Sequence, residues 1–297
     1  MPPDEPILIL LSDFENEDEN MAFAQRILVD VVVPAFRATH DTKHQAALAY
    51  AIQELLKYCK FTPALLEASA PTRVPEKVRQ RWSTLPEMLL PTLLPLLNSR
   101  YVVQQTEPRP REMPLYAHST SYRDWVQAWT LWLIRSSRPG DAASLFHIFT
   151  SVVRDHDVGI AQYLLPHLVL HILISGSSQQ RRTVLGESLA VLADQAHPAL
   201  GYEPERRRLT AQTLFHVLDH VGHWMRRMRL VPLRMARRSR WRDALSDVQA
   251  IMDELSPDLL AQASLQCDAY ARALLHFEYR IRAMRPQPPE TLQPYYE

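Results

Sequence analysis

Apolar residues recur along this chain at a spacing of three and four, almost from end to end. Phe23, Ile27 and Val31 mark one face of a first helix, which Pro34 is expected to kink or end. Leu48, Ile52, Leu55 and Leu56 fall at i, i+4, i+7 and i+8 on the next. Ala142, Leu145, Phe146, Phe149, Val152 and Val153 form a further stripe, with Asp141 placed to cap its start. Leu185, Leu189, Leu192 and Ala193 repeat the pattern, as do Leu214, Phe215, Leu218, Val221 and Met225, and then Leu245, Val248, Ile251, Met252 and Leu255. The valine-rich run 29–33 is the one strand-like competitor, and its flanks are helical in pattern. The periodicity predicts an all-α protein.

The predicted helices pair across short breaks at 138–140, 175–178, 197–204 and 256–257. Pair starts near residues 119, 158 and 206 are roughly 40 residues apart, close to the periods of HEAT and tetratricopeptide repeats. The expected architecture is an irregular α-solenoid of antiparallel helix pairs, in which each repeat packs mainly on its neighbours. Residues 60–84 and 102–118, with their prolines and charges, are expected to be long connecting loops. Apolar Ile7 to Leu11 at the start and Tyr295-Tyr296 near the end provide no polar cap for such an array, as expected of a fragment.

Composition sharpens this picture. The 297 residues include 6 Gly against 23 Pro, which disfavours hairpin turns and phosphate-cradling loops and favours helices joined by proline-containing loops. Lys plus Arg and Asp plus Glu number 33 each, so no bulk charge points to nucleic acid or to a membrane. Cys59 and Cys267 form no disulfide framework, as expected in a reducing compartment. No basic leader precedes an apolar run at the N-terminus. The most apolar stretch, 163–174, carries Pro166, His167 and His171 and reads as a buried helix, so no membrane association is expected.

The groups that could carry chemistry each have a plainer reading. His216, His220 and His223 at i, i+4, i+7 line one helical face as a metal site would need, but no fourth ligand stands at signature spacing. Their face also lies away from the Leu214/Leu218/Met225 seam, as solvated or inter-helix histidines would. His167 and His171 read as core histidines. Gly186-Glu187-Ser188 faintly resembles a nucleophile elbow, a device that needs a strand-to-helix turn, whereas Ser188 falls inside an amphipathic helix. Trp125, Trp129 and Trp132 read as a core stripe between stacked helices. No nucleotide-binding loop or metal-binding carboxylate motif is visible. No catalytic, cofactor-binding or metal-ligating residue is assigned, and no cofactor is expected. The acidic block 13–19 reads as a solvated loop. Residues 226–242 hold eight arginines and no acid, which leaves three readings open: a solvated loop, an import signal, or nucleic-acid contact in which Trp224 or Trp241 would supply stacking.

Six strings appear in order: YAIQELL at 50–56, LNSRY at 97–101, DWVQAWTLWLI at 124–134, YLLPHLVLHIL at 163–173, TLFHVLDHVGHW at 213–224 and AYARALLHFE at 269–278. Together they closely resemble the ATR branch of the phosphatidylinositol-3-kinase-related protein kinases, over the late HEAT repeats and into the start of the FAT domain. The resemblance implies HEAT-like repeats over 1–255 and the tetratricopeptide-like FAT region from 256 to 297. It implies a large nuclear serine/threonine kinase that signals DNA damage and replication stress, assembles as a dimer and works with an ATR-interacting protein. The kinase domain of that family lies C-terminal to the matching region, so the resemblance carries no catalytic residue onto this chain. The expected role is a non-catalytic scaffold segment. The alternative is a free-standing helical adaptor acting through 226–242.

Overall fold

A computed structural model describes residues 11–67, 73–102, 111–155, 157–196, 203–230 and 238–284. Every regular element among them is helical. The helices are α1 (Glu17–Ile27), α2 (Val33–Ala38), α3 (Thr42–Tyr58), α4 (Glu76–Ser83), α5 (Leu90–Asn98), α6 (Leu115–His118), α7 (Tyr122–Ser136) and α8 (Asp141–His147), followed by α9 (Thr150–Asp155), α10 (Val158–Ser175), α11 (Ser178–Ala196), α12 (Pro204–Leu230), α13 (Arg238–Asp253), α14 (Pro257–Gln266) and α15 (Tyr270–Met284). The chain divides into two compact units: residues 1–109 with 130–168, and residues 110–129 with 169–297. The division passes through α7 and α10.

The first unit is built around α3, against which α1, α2, α5 and α9 pack. Asp41 caps α3 by accepting the Lys43 N–H, and Leu48, Ile52, Leu55 and Leu56 are buried as their spacing predicts. The helix stops where Lys60 enters the left-handed region at φ 63°, which lets the Phe61 N–H reach the Leu56 carbonyl at 2.8 Å. Pro34 does not end its helix. The backbone opens into a π-turn over Leu28–Val32, the Val33 N–H bonds Leu28 O, and α2 continues with Pro34 in its first turn, where a missing N–H costs nothing.

Other expectations need correction. The stretch 60–84 is not one loop: Pro63–Leu66 forms a 3-10 turn and Glu76–Ser83 is α4, while 68–72 lie outside the described residues. Within 102–118, Leu115–His118 is helical with Leu115 and Tyr116 buried, and 103–110 lie outside the described residues. The stripe 142–153 is split into α8 and α9, and Asp141 is the first residue of α8 rather than its cap. The acidic block is largely organised. Asn16 caps α1, and Glu19 Oε2 accepts from Ser12 N, Ser12 Oγ and Asp13 N at 2.8–2.9 Å.

The second unit is built around α11, which packs on α6, α12, α13 and α14. Its start is a reciprocal capping box, with Gln180 N–H donating to Ser177 Oγ at 3.2 Å and Ser177 N–H donating to Gln180 Oε1 at 2.7 Å. Just before it, Gly176 closes α10. A Cβ there would stand 2.5 Å from the Ile172 carbonyl oxygen, so only glycine fits. Helix α10 is longer than the twelve-residue apolar stretch suggests: its 18 residues are long and apolar enough to cross a membrane, yet they are mostly buried in the fold. That is how a core helix of a helical protein looks.

Candidate functional site

The most concentrated polar chemistry among the described residues lies in the second unit, around Glu187. This side chain is fully buried on α11. Its Oε2 accepts the Leu115 N–H at 2.6 Å, and its Oε1 accepts the Tyr116 N–H at 2.8 Å and the Trp125 indole N–H at 2.7 Å. The carboxylate thus closes the N-terminus of α6 and holds the tryptophan of α7. Tyr116 extends the network: its hydroxyl donates to Asp194 Oδ2 at 2.5 Å, its carbonyl accepts from Arg206 Nη2 at 2.6 Å, and the Arg206 guanidinium lies 4.7 Å from its ring centre. Burial raises the Glu187 pKa above the ordinary carboxylate range, while the donors from Trp125, Tyr116 and Leu115 pull it back part of the way. All of these groups are engaged with one another, and what they do is fix α6 and α7 against α11 and α12.

Glu187 also explains a rotation of α11 relative to the predicted stripe. Val184, Leu185, Glu187, Ser188, Val191, Leu192, Gln195 and Ala196 are buried, whereas Ala193 is exposed and Leu189 only half-buried. The helix turns to aim its carboxylate at three N–H groups. Ser188, one residue on, donates its hydroxyl to Val184 O at 2.9 Å within the helix. It is an i−4 back-bonded helix serine, not a strained nucleophile.

Trp125 and Trp129 are fully buried, with ring centres 5.2 Å apart, and Trp125 meets Tyr116 edge-on at 6.2 Å. Trp132 departs from expectation, being only half-buried. The start of α7 is set by Ser121, whose Oγ accepts the Asp124 N–H at 3.1 Å while Asp124 Oδ2 accepts the Thr120 N–H at 3.1 Å.

Along α12, His216 is exposed while His220 and His223 are half-buried. Burial first, and then the neighbouring His216 and His223, lower the His220 pKa to about 4. Among the described residues no group of three His, Cys, Asp or Glu side chains is arranged to hold a metal. The buried seam of this helix runs through Leu214, Phe215, Val217, Val221, Trp224 and Met225, with Leu218 at its half-buried edge. His167 and His171 are both buried, His167 edge-on to Phe23 at 4.7 Å.

Burial lowers the His171 pKa to about 4, which ties stability to pH. Between the ordinary histidine value near 6.5 and about 4, the unfolded chain binds a proton that the folded chain refuses. The contribution is therefore complete above pH 6.5 and is lost as pH falls toward 4, reaching about 2 kcal/mol at pH 5. Glu187 acts in the opposite sense, since a raised carboxyl pKa favours the folded state as pH falls toward the unfolded value. The two are separated by comparing chains. His171→Leu is expected to lose about 2 kcal/mol less than the parent between pH 7.5 and 5 in denaturant titrations, and superimposable pH profiles would refute the assignment.

Of the arginine segment, Arg226 and Arg227 are exposed at the end of α12, and Arg229 donates to Gln249 on α13. Arg234 and Arg237, and the side chains of Arg238 and Arg240, lie outside the described residues. The stacking role considered for Trp224 is overturned: it is fully buried, with Trp241 6.3 Å from it, so its face is not open to a base.

A family model of the serine/threonine-protein kinase ATR M-HEAT region matches residues 109–297, well over half of the chain. The chain belongs to the ATR family. It is 28% identical over 289 residues to protein kinase rad3 of Schizosaccharomyces pombe, covering 92% of this chain and 12% of that protein. It is 27% identical over 296 residues to serine/threonine-protein kinase ATR of Oryza sativa subsp. indica, covering 90% and 11%. Against serine/threonine-protein kinase MEC1 of Eremothecium gossypii it is 23% identical over 298 residues, covering 96% and 13%. The chain thus spans about an eighth of the length of these kinases, and what it matches is their helical-repeat region. The all-α fold and the ATR resemblance read from the sequence both hold.

Proposed function

We propose that this chain is a non-catalytic helical scaffold segment of an ATR-like serine/threonine kinase that acts in DNA-damage and replication-stress checkpoint signalling in the nucleus. The observation that carries the proposal is the match to the M-HEAT region over 109–297, in relatives named as protein kinases that are about eight times longer. The structure supports it by the uses to which its reactive side chains are put. Glu187 caps a helix, Ser188 bonds its own helix, and His171 and both cysteines are buried. Burial pushes the Cys59 and Cys267 thiols up to about 12 and about 11, far from the thiolate a nucleophile needs.

In this reading the partners are the neighbouring repeats and the FAT-kinase head of the parent protein, with an ATR-interacting protein and a second kinase copy as further members of the assembly. The pair α14–α15, within 256–297, would be the entrance to the FAT region. The purified chain is expected neither to bind ATP saturably nor to transfer phosphate to a protein substrate. Saturable ATP binding abolished by substitutions within the chain would sink the non-catalytic reading.

A further inference from the structure

The end of α4 combines a basic recognition sequence with a hydroxyl that ties two helices together. Arg79-Gln80-Arg81-Trp82-Ser83-Thr84-Leu85 places arginines five and three residues before Thr84 and a leucine directly after it. A protein kinase with carboxylate pockets at those two spacings and an apolar pocket beyond the acceptor would read this pattern. Ser83 is out of register, with the arginines four and two residues before it, and its hydroxyl already donates to Gln80 O at 2.8 Å.

Thr84 is exposed. Its hydroxyl donates to Arg81 O at 2.8 Å and accepts from Gln25 Nε2 of α1 at 2.7 Å, while the same amide donates to Arg81 O at 3.1 Å. The helix held by this tie is weak. It has eight residues, with Val78 its one buried side chain, whereas an isolated helix needs roughly 12–15 residues to persist. Half-buried Trp82 stands edge-on to Phe61, with ring centres 5.1 Å apart. Among the described residues Arg81 Nε is buried with no hydrogen-bond partner, so lifting this segment out gives an unmet donor back to water. A short helix held in this way opens locally at much less cost than global unfolding, and residues 79–85 then form the extended strand that a kinase groove takes.

We propose that Thr84 is a phosphorylation site for an arginine-directed serine/threonine kinase, and that the phosphate frees the end of α4 from α1. Thr84 Oγ1 attacks the γ-phosphorus of Mg-ATP, and the bond from that phosphorus to the β,γ-bridging oxygen breaks. ADP leaves, and the hydroxyl proton passes to the catalytic aspartate of the kinase. The ester oxygen then has no proton to donate to Arg81 O, so one half of the tie is gone. The phosphate also brings a charge of about −1.5 to −2 to the C-terminal end of a helix, where the free carbonyls already disfavour an anion. The closed turn therefore re-forms less readily once Thr84 is modified.

The test treats the 297-residue chain with Mg-ATP and an arginine-directed kinase chosen for its action on a peptide of residues 77–90. Failure of such kinases on that peptide overturns the recognition. Mass spectrometry of the whole chain is expected to place the phosphate on Thr84. Replacing both arginines, Arg79→Ala with Arg81→Ala, is expected to slow the reaction about tenfold in chain and peptide alike. Gln25→Ala, which loosens the tie from outside the recognised sequence, is expected to speed the reaction of the chain about fivefold. On phosphorylation, amide hydrogen exchange over 79–85 is expected to quicken about tenfold while α3 keeps its protection. Phosphate on Ser83 or elsewhere, a rate indifferent to the two arginines or to Gln25, or unchanged exchange over 79–85 each overturns the proposal.

Discussion

Truncating Trp125 to alanine is expected to destabilise the chain by about 3–5 kcal/mol, a loss on the order of 10 °C in Tm. Two losses combine. The indole is fully buried against Trp129 and Tyr116, so its removal leaves a cavity in a close-packed interior. Its N–H is also one of the donors to buried Glu187 Oε1, and the carboxylate is left with one charge-assisted bond fewer. Trp129→Ala is expected to fall in the same range, since that ring is equally buried. Trp132→Ala, at a half-buried position, is expected to cost about 1 kcal/mol, within the ordinary spread of single substitutions. Urea titrations of the three variants check this ranking. Equal losses at 125 and 132 would contradict the burial described here.

Removing the carboxylate is expected to be as severe. Glu187→Ala strands the Leu115 and Tyr116 N–H groups and the Trp125 indole N–H, each inside the protein. An unsatisfied buried donor costs about 1–3 kcal/mol, and breaking a buried charged arrangement from one side costs about 3–5. Glu187→Gln keeps the volume but turns an amide NH2 toward groups that are themselves donors, so a loss of about 1–3 kcal/mol is expected. Pairing Trp125→Phe with Glu187→Gln isolates the shared bond, with a coupling of about 0.5–3 kcal/mol expected between them. Near-ultraviolet circular dichroism should report the loosened tryptophans at the same time. An alanine variant within 0.5 kcal/mol of the parent would show that the network does not hold α6 and α7.

The reach of the sequence can be judged from the same residues. Apolar spacing located the helices well where burial decides alone, as on α3, and it placed Trp125 and Trp129 in the interior. It missed the face of α11, because the residue that orients that helix is a glutamate, and a period counted on apolar positions gives no weight to a carboxylate satisfied by N–H groups from 62 to 72 residues away. A Glu flanked by the apolar pairs Val184-Leu185 and Val191-Leu192 was the available signal. Helix stops were hidden for another reason. Lys60 and Asp268 take the left-handed conformation that glycine usually marks, so the ends of α3 and α14 left no glycine to read. Pro34 was expected to kink or end its helix, and what stands before it is a π-turn over Leu28–Val32 that interrupts the regular helix and lets it resume at Val33.

The central claim is that these residues are a supporting segment of a much longer kinase. Isolating the native protein with an antibody raised against residues 203–230, and measuring both its polypeptide length and its phosphotransfer activity, tests that claim most directly. The account predicts a single polypeptide several times longer than 297 residues, with serine/threonine kinase activity that the purified 297-residue chain lacks. A native polypeptide of 297 residues, or phosphotransfer by the purified chain itself, would contradict it.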